Sequence, residues 1–200
     1  MRDSLLHRKQ IVAAILGVMA VFIGAAAGVT PVANAAVITC PWLTTCNGTN
    51  NDDHMTGSDM GTYIYGYDGH DNIWGMPGSD TINAGDSADY VEGNPGNDEI
   101  FGLYGNDSSD YYAYNAHPAG LYGSNDDDIV RGNDGFDLVV GGYGNDYVFG
   151  GDNNDMVQVV DCQRDEYSGG QGPSDECWYD AGIDAGDGTC EIKHPIWASC

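Results

Sequence analysis

Ten aspartates recur at one position of a nine-residue frame: Asp53, Asp71, Asp80, Asp89, Asp98, Asp110, Asp128, Asp137, Asp146 and Asp155. Carboxylates can act as general acids or bases, as nucleophiles, or as ligands of hard cations. Pairs of them could imitate a glycosidase dyad, but such a pair is needed once, and repetition on this scale signals structural use. Other candidates for chemistry are few. His54, His70, His117 and His194 are scattered, and neither G-x-S-x-G nor H-E-x-x-H occurs. His70 adjoins Asp71 but has no nucleophile beside it. No catalytic constellation is present, so no enzymatic activity is expected.

The frame that spaces these aspartates runs from Gly48 to Gln158. Units begin at Gly48, Gly57, Gly66, Gly75, Ala84 and Gly93; a three-residue insertion near Gly102-Leu103-Tyr104 shifts the frame, and units resume at Gly105, Tyr114, Gly123, Gly132, Gly141 and Gly150. That makes twelve nonapeptides. The eighth position is apolar throughout, from Met55, Ile64, Ile73 and Ile82 to Tyr112, Leu121 and Val157. The sixth is Asp except at Thr62 and Ala119. Positions seven to nine suit a three-residue extended segment whose eighth side chain points inward. Positions one to six suit a turn rich in glycine. So short a strand cannot stand alone, and successive strands must pair in a coil.

Composition sets the remaining bounds. The 200 residues hold 31 acids against 6 Lys and Arg, a net charge of -25. Phosphate-rich partners, whether nucleic acid or anionic membrane, are thereby excluded. The 30 glycines lack a collagen period, and 42% apolar residues with 13 tyrosines argue against a disordered chain.

The columns spell G-G-x-G-x-D-x-U-x, which Gly141-Gly142-Tyr143-Gly144-Asn145-Asp146-Tyr147-Val148-Phe149 matches at every fixed position. The sequence resembles the hemolysin-type calcium-binding (RTX) repeat family over slightly more than half its length. The resemblance implies an all-β fold, a right-handed parallel β-roll with two nonapeptides per turn. It also implies Ca2+ between consecutive turns, held by the sixth-position Asp and backbone carbonyls. Stacking every second unit gives one column of Asp53, Asp71, Asp89, Asp110, Asp128 and Asp146. The other column is Thr62, Asp80, Asp98, Ala119, Asp137 and Asp155. About seven ions are then expected, five in the first column and two in the second, with third-position acids Asp68, Asp86, Asp107, Asp134 and Asp152 assisting. Physical chemistry agrees. An interior one side chain wide buries little apolar surface for each residue ordered, and stacked carboxylates repel unless a hard cation bridges them.

The ends differ from the middle. Arg2, Arg8 and Lys9 precede an apolar run, Ile11 to Val29, and Ala33-Asn34-Ala35 offers a signal-peptidase site. Residues 1–35 therefore read as an export signal of a secreted protein, with an uncleaved anchor as the rival. Cys40, Cys46, Cys162, Cys177, Cys190 and Cys200 read as three disulfides, since their spacing lacks a paired C-x2-C for zinc. Cys40 with Cys46 closes a short loop; among the others, Cys162 with Cys190 is the favoured pair. Segments 36–47 and 159–200 are expected to cap the roll of 48–158. An outward aromatic stripe, Tyr90, Tyr111 and Tyr147 with Trp74, Phe101, Tyr122 and Phe149, suggests a glycan or cell-surface partner or, equally, a cross-strand ladder. The whole resembles exported bacterial proteins made only of such repeats.

Overall fold

The computed structural model describes residues 35–40, 45–107 and 119–197. The expected signal at 1–35 thus lies almost wholly outside the described residues, as do Asp110, Tyr111, Tyr112 and Cys200. Among the described residues there is no helix. In chain order the strands are β1 (Val37–Thr39), β2 (Thr45–Asn47), β3 (His54–Thr56), β4 (Tyr63–Asp68), β5 (Asn72–Trp74) and β6 (Thr81–Asp86). Next come β7 (Tyr90–Pro95), β8 (Glu99–Tyr104), β9 (Gly120–Asn125), β10 (Ile129–Asp134), β11 (Leu138–Tyr143) and β12 (Tyr147–Asp152). The last are β13 (Met156–Val159), β14 (Glu166–Gln171), β15 (Glu176–Asp180), β16 (Ala185–Gly186) and β17 (Ile192–Ile196).

Odd-numbered strands form one sheet and even-numbered strands the other, each in sequence order. Every pairing is parallel. A chain that alternates between two parallel sheets in this way is a solenoid with two strands per turn, here of about eight turns. Apolar burial tracks the eighth position. Met55, Ile73, Val91, Leu121, Val139 and Val157 stack in register inside the odd sheet. Ile64, Ile82, Ile100, Val130 and Val148 stack inside the even sheet. All are 0% exposed.

Most strands run six residues rather than three, crossing positions seven to nine and continuing through one to three. Alternation along them buries the eighth and the first positions. The second position then takes a left-handed conformation, even at Tyr67 (φ 80°) and Asn94 (φ 75°). Such residues are strained there. The fourth position repeats the left-handed conformation at Gly96 (φ 136°), where a Cβ would collide with the Gly78 carbonyl.

The ladder also extends beyond 48–158, for the segments expected as caps are themselves rungs. Cys46 stacks on Ile64, and Cys177 stacks on Val157. Cys40–Cys46 is a disulfide, and Cys177 pairs with Cys190. This corrects the favoured Cys162–Cys190 pair. Cys177 and Cys190 are both buried at the end of the core, whereas Cys162 lies on a turn with φ 72°; it too is disulfide-bonded. The two described disulfides fill the inward position at either end of the apolar column, where the pattern of Ile, Val and Leu has stopped.

Candidate metal centre

The aspartates stand on the residue immediately before each strand. Asp71 precedes β5, Asp89 precedes β7, and the series continues with Asp137 and Asp155. Asp80, Asp98, Asp128 and Asp146 hold the same place before even-numbered strands. All eight are 0–2% exposed. In each, Oδ1 accepts the backbone N–H of the residue in the same place one turn earlier. The Asp–Asp bonds measure 2.7–2.9 Å. Oδ2 of each is buried and has no hydrogen-bond partner. A buried carboxylate oxygen without a partner carries a desolvation penalty of several kcal/mol in principle, so eight in register require an explanation.

The surroundings of those oxygens are consistent from turn to turn. A Cβ built at Gly123 would lie 2.5 Å from Asp128 Oδ2 and 2.5 Å from the Gly141 carbonyl oxygen. At Gly75 the neighbours are Asp80 Oδ2 at 2.5 Å and the Gly93 carbonyl at 2.7 Å. Gly66, Gly93, Gly132 and Gly150 face their own Asp and the next turn's carbonyl in the same manner. The missing side chain of the first position therefore leaves a cradle lined by one carboxylate oxygen and one carbonyl oxygen from successive turns. Among the described residues no three carboxylate, imidazole or thiol side chains converge on a point. A cation held here takes one carboxylate per turn, with backbone oxygens completing its shell, a donor set suited to a hard, oxygen-seeking ion such as Ca2+.

Without such an ion the carboxyls resist ionisation. Burial, reinforced by neighbouring aspartates, pushes Asp71 and Asp98 up to about 7, and Asp128 and Asp155 up to about 8. Burial raises Asp80 to about 7, and with adjacent acids takes Asp137 and Asp146 to about 6. For Asp89 burial and then Asp107 act in the same upward direction.

The columns differ from those expected. Asp107, expected at a third position, fills the sixth: its Oδ1 accepts the Asp89 N–H, and its own N–H donates to Asp137 Oδ1. The separation there is 30 residues where neighbouring turns have 18. Twelve residues, not three, are thus extra, and they fall after Asp107 rather than near Gly102. One unit fewer separates the halves, so the columns exchange partners. Asp53, Asp71, Asp89, Asp107, Asp137 and Asp155 make one column. Asp80, Asp98, Asp128 and Asp146 make the other. The segment Gly102-Leu103-Tyr104-Gly105-Asn106-Asp107 was the legible signal, since it keeps glycine at positions one and four and Asp at six. Asp53 differs from the rest: Oδ1 accepts the Ala36 N–H, and Oδ2 accepts the Thr49 N–H at 2.6 Å. Thr62 closes its turn with hydroxyl bonds to Ser58 and the Met60 carbonyl.

The aromatic stripe is divided between sheets. Tyr90 pairs with Asn72 and Gly120 in the odd sheet, whereas Ile129 and Tyr147 pair in the even sheet. His54, Trp74, Tyr90 and Tyr122 form a row of tilted rings with centroids 4.5–5.7 Å apart. On the other face Arg131 lies 5.3 Å from the Phe101 ring and 5.5 Å from Phe149, and binds Glu99 at 3.1 Å. These are cross-strand ladders of rings packed on one another.

Fold and site together define a parallel β-roll with columns of buried aspartates at its turns. The RTX calcium-binding nonapeptide repeat matches the chain in four copies, over residues 47–82, 65–100, 83–112 and 122–157. Those segments cover just over half of the 200 residues, and the chain belongs to that family. Its repeats are calcium-binding. No curated relative matches the chain.

Proposed function

We propose that this chain is a secreted calcium-binding protein whose roll closes when Ca2+ fills the two columns. Ions lie in the Asp71/Asp89, Asp89/Asp107, Asp107/Asp137 and Asp137/Asp155 intervals of one column. They also lie in the Asp80/Asp98, Asp98/Asp128 and Asp128/Asp146 intervals of the other, giving seven in all. The row of buried, unpartnered Oδ2 atoms carries this reading. When bound, the ion supplies the positive charge that those oxygens lack. The chain's own residues orient the oxygens: each Oδ1 is fixed by a backbone N–H of the preceding turn, and each first-position glycine keeps the cradle clear. Two observations support export, namely the disulfides, which persist in oxidising compartments, and the apolar N-terminal segment ending in Ala33-Asn34-Ala35. The excess of negative charge keeps the metal-free chain open, and folding occurs where calcium is abundant.

Far-UV circular dichroism of the disulfide-intact protein, first in chelator and then with calcium added, tests the proposal. Strand signal should appear with calcium and vanish again with chelator. An identical spectrum under both conditions, with no heat of calcium uptake by calorimetry, overturns it.

A further inference from the structure

Both columns continue past the last nonapeptide, and at one end the continuation has the make-up of a site. The matched repeats stop at residue 157. Beyond them Asp175 stands immediately before β15 and is 0% exposed. Its Oδ1 accepts the Asp155 N–H at 2.9 Å, as the column requires, and its Oδ2 is buried without a partner. The turn ahead of it reads Gly169-Gly170-Gln171-Gly172-Pro173-Ser174-Asp175. It keeps the glycines of positions one, two and four but carries one additional residue before the Asp. That single insertion hides it from a nine-residue pattern. A Cβ at Gly169 would fall 2.8 Å from Asp175 Oδ2, and one at Gly172 would strike the Asn153 carbonyl. Gly170 takes φ 110°, the left-handed conformation of the second position in the repeats.

One turn further on the column changes residue type. Glu191 stands immediately before β17, and its Oε2 accepts the Asp175 N–H at 2.9 Å, the bond that an Asp Oδ1 makes at every earlier turn. The longer side chain spans what an aspartate spans elsewhere. Its neighbour Cys190 is disulfide-bonded to Cys177, two residues after Asp175, which ties the two turns together.

We propose that Asp175 and Glu191 hold a further calcium ion, outside the nonapeptide repeats, at the C-terminal end of the Asp71 column. Asp175 Oδ2 and the free oxygen of Glu191 give carboxylate ligands from successive turns, and backbone oxygens of the glycine turn complete the shell. Such an ion sits at the end of the odd-numbered sheet, where β17 is the last strand among the described residues. The inference rests on the calcium reading of the repeats.

Native mass spectrometry of the disulfide-intact protein at saturating calcium counts the ions directly. Glu191→Gln should carry one ion fewer than the wild type and Asp175→Asn, which also borders the Asp155 interval, at least one fewer, while Glu166→Gln, an exposed acid at the start of β14, should carry the full number. Hydrogen exchange supplies a readout independent of the count: calcium-dependent protection of amides 176–180 should be lost in Asp175→Asn and retained in Glu166→Gln. Equal ion counts in the wild type, Asp175→Asn and Glu191→Gln overturn this inference and leave the repeats' calcium intact. A wild type that takes up no calcium overturns both.

Discussion

Asp137→Asn separates the contribution of the ion from that of the carboxylate, because it should act in opposite directions with and without calcium. Asp137 lies between Asp107 and Asp155, with its Oδ1 on the Asp107 N–H and its Oδ2 beside the Gly132 cradle that the Gly150 carbonyl also faces. Burial first, and then the charge of Asp134, raise it to about 6 from 3.8. A raised folded-state pKa means the native state binds the proton more tightly than the unfolded chain. The stability it supplies is complete below 3.8 and is lost as pH climbs through 6. At pH 7.4 the metal-free roll therefore bears a penalty of about 2–3 kcal/mol from this one group, at about 1.4 kcal/mol per pKa unit. Asparagine cannot ionise, and its amide N–H₂ can donate to the Gly150 carbonyl. In chelator the substitution should raise the folded-to-unfolded ratio by a factor of roughly 30 to 150. Calcium reverses the order, because the variant lacks the free carboxylate Oδ2, which lines the single cradle at Gly132 on the Asp155 side. Each tenfold rise in calcium above the site's dissociation constant removes about 1.4 kcal/mol of the advantage. The two proteins should be equally stable at roughly 30 to 150 times that constant, and the wild type should be the more stable above it. Urea titrations monitored by circular dichroism across a calcium series provide the measurement. A stability difference that does not vary with calcium, or a variant less folded than wild type in chelator, refutes the reasoning.

The same linkage extends to both columns. With Asp71, Asp80 and Asp98 raised to about 7 and Asp107, Asp128 and Asp155 to about 8, the metal-free chain should gain strand signal on acidification from pH 8.5 to 5. Apparent calcium affinity should fall over the same interval, since protons compete for the same oxygens; calorimetry at several pH values checks this, and pH-independent affinity would contradict it. In the apolar column, Ile100→Ala should cost about 2–5 kcal/mol, because Ile100 is 0% exposed and sandwiched in register between Ile82 and Val130. A calcium-saturated urea midpoint within error of wild type would show that the column does not carry the core.

The extent to which the sequence foretold the structure varies with the range of the interaction. Eight of the ten aspartates named from the frame stand in the two buried columns with a free Oδ2, because a nine-residue unit is a local object: strand, turn and carboxylate are specified within it. The inward eighth position was legible for the same reason, as was the Cys40–Cys46 loop. The frame assigns Asp107 a third position and the ladder gives it a sixth, because the frame counts residues along the chain whereas the ladder counts rungs. Gly102 to Asp107 obeys the pattern, but Gly105 to Asp110 also has glycine first and Asp sixth, and only pairing of Asp107 with Asp89 and Asp137 distinguishes the two.

Asp165, Asp175 and Glu191 mark the same boundary. They join the columns with separations of 19, 20 and 16 residues, which no fixed period detects. The sequence by itself determined the unit: which side chain turns inward, where the acid sits, and that the acids need a counter-charge. Only the tertiary structure decided which carboxylate stands over which, that the ladder runs on past residue 158, and that Cys177 meets Cys190. Those depend on strands pairing across intervals of variable length, and backbone hydrogen bonding between strands tolerates extra residues in a turn provided that the rung itself is kept in register.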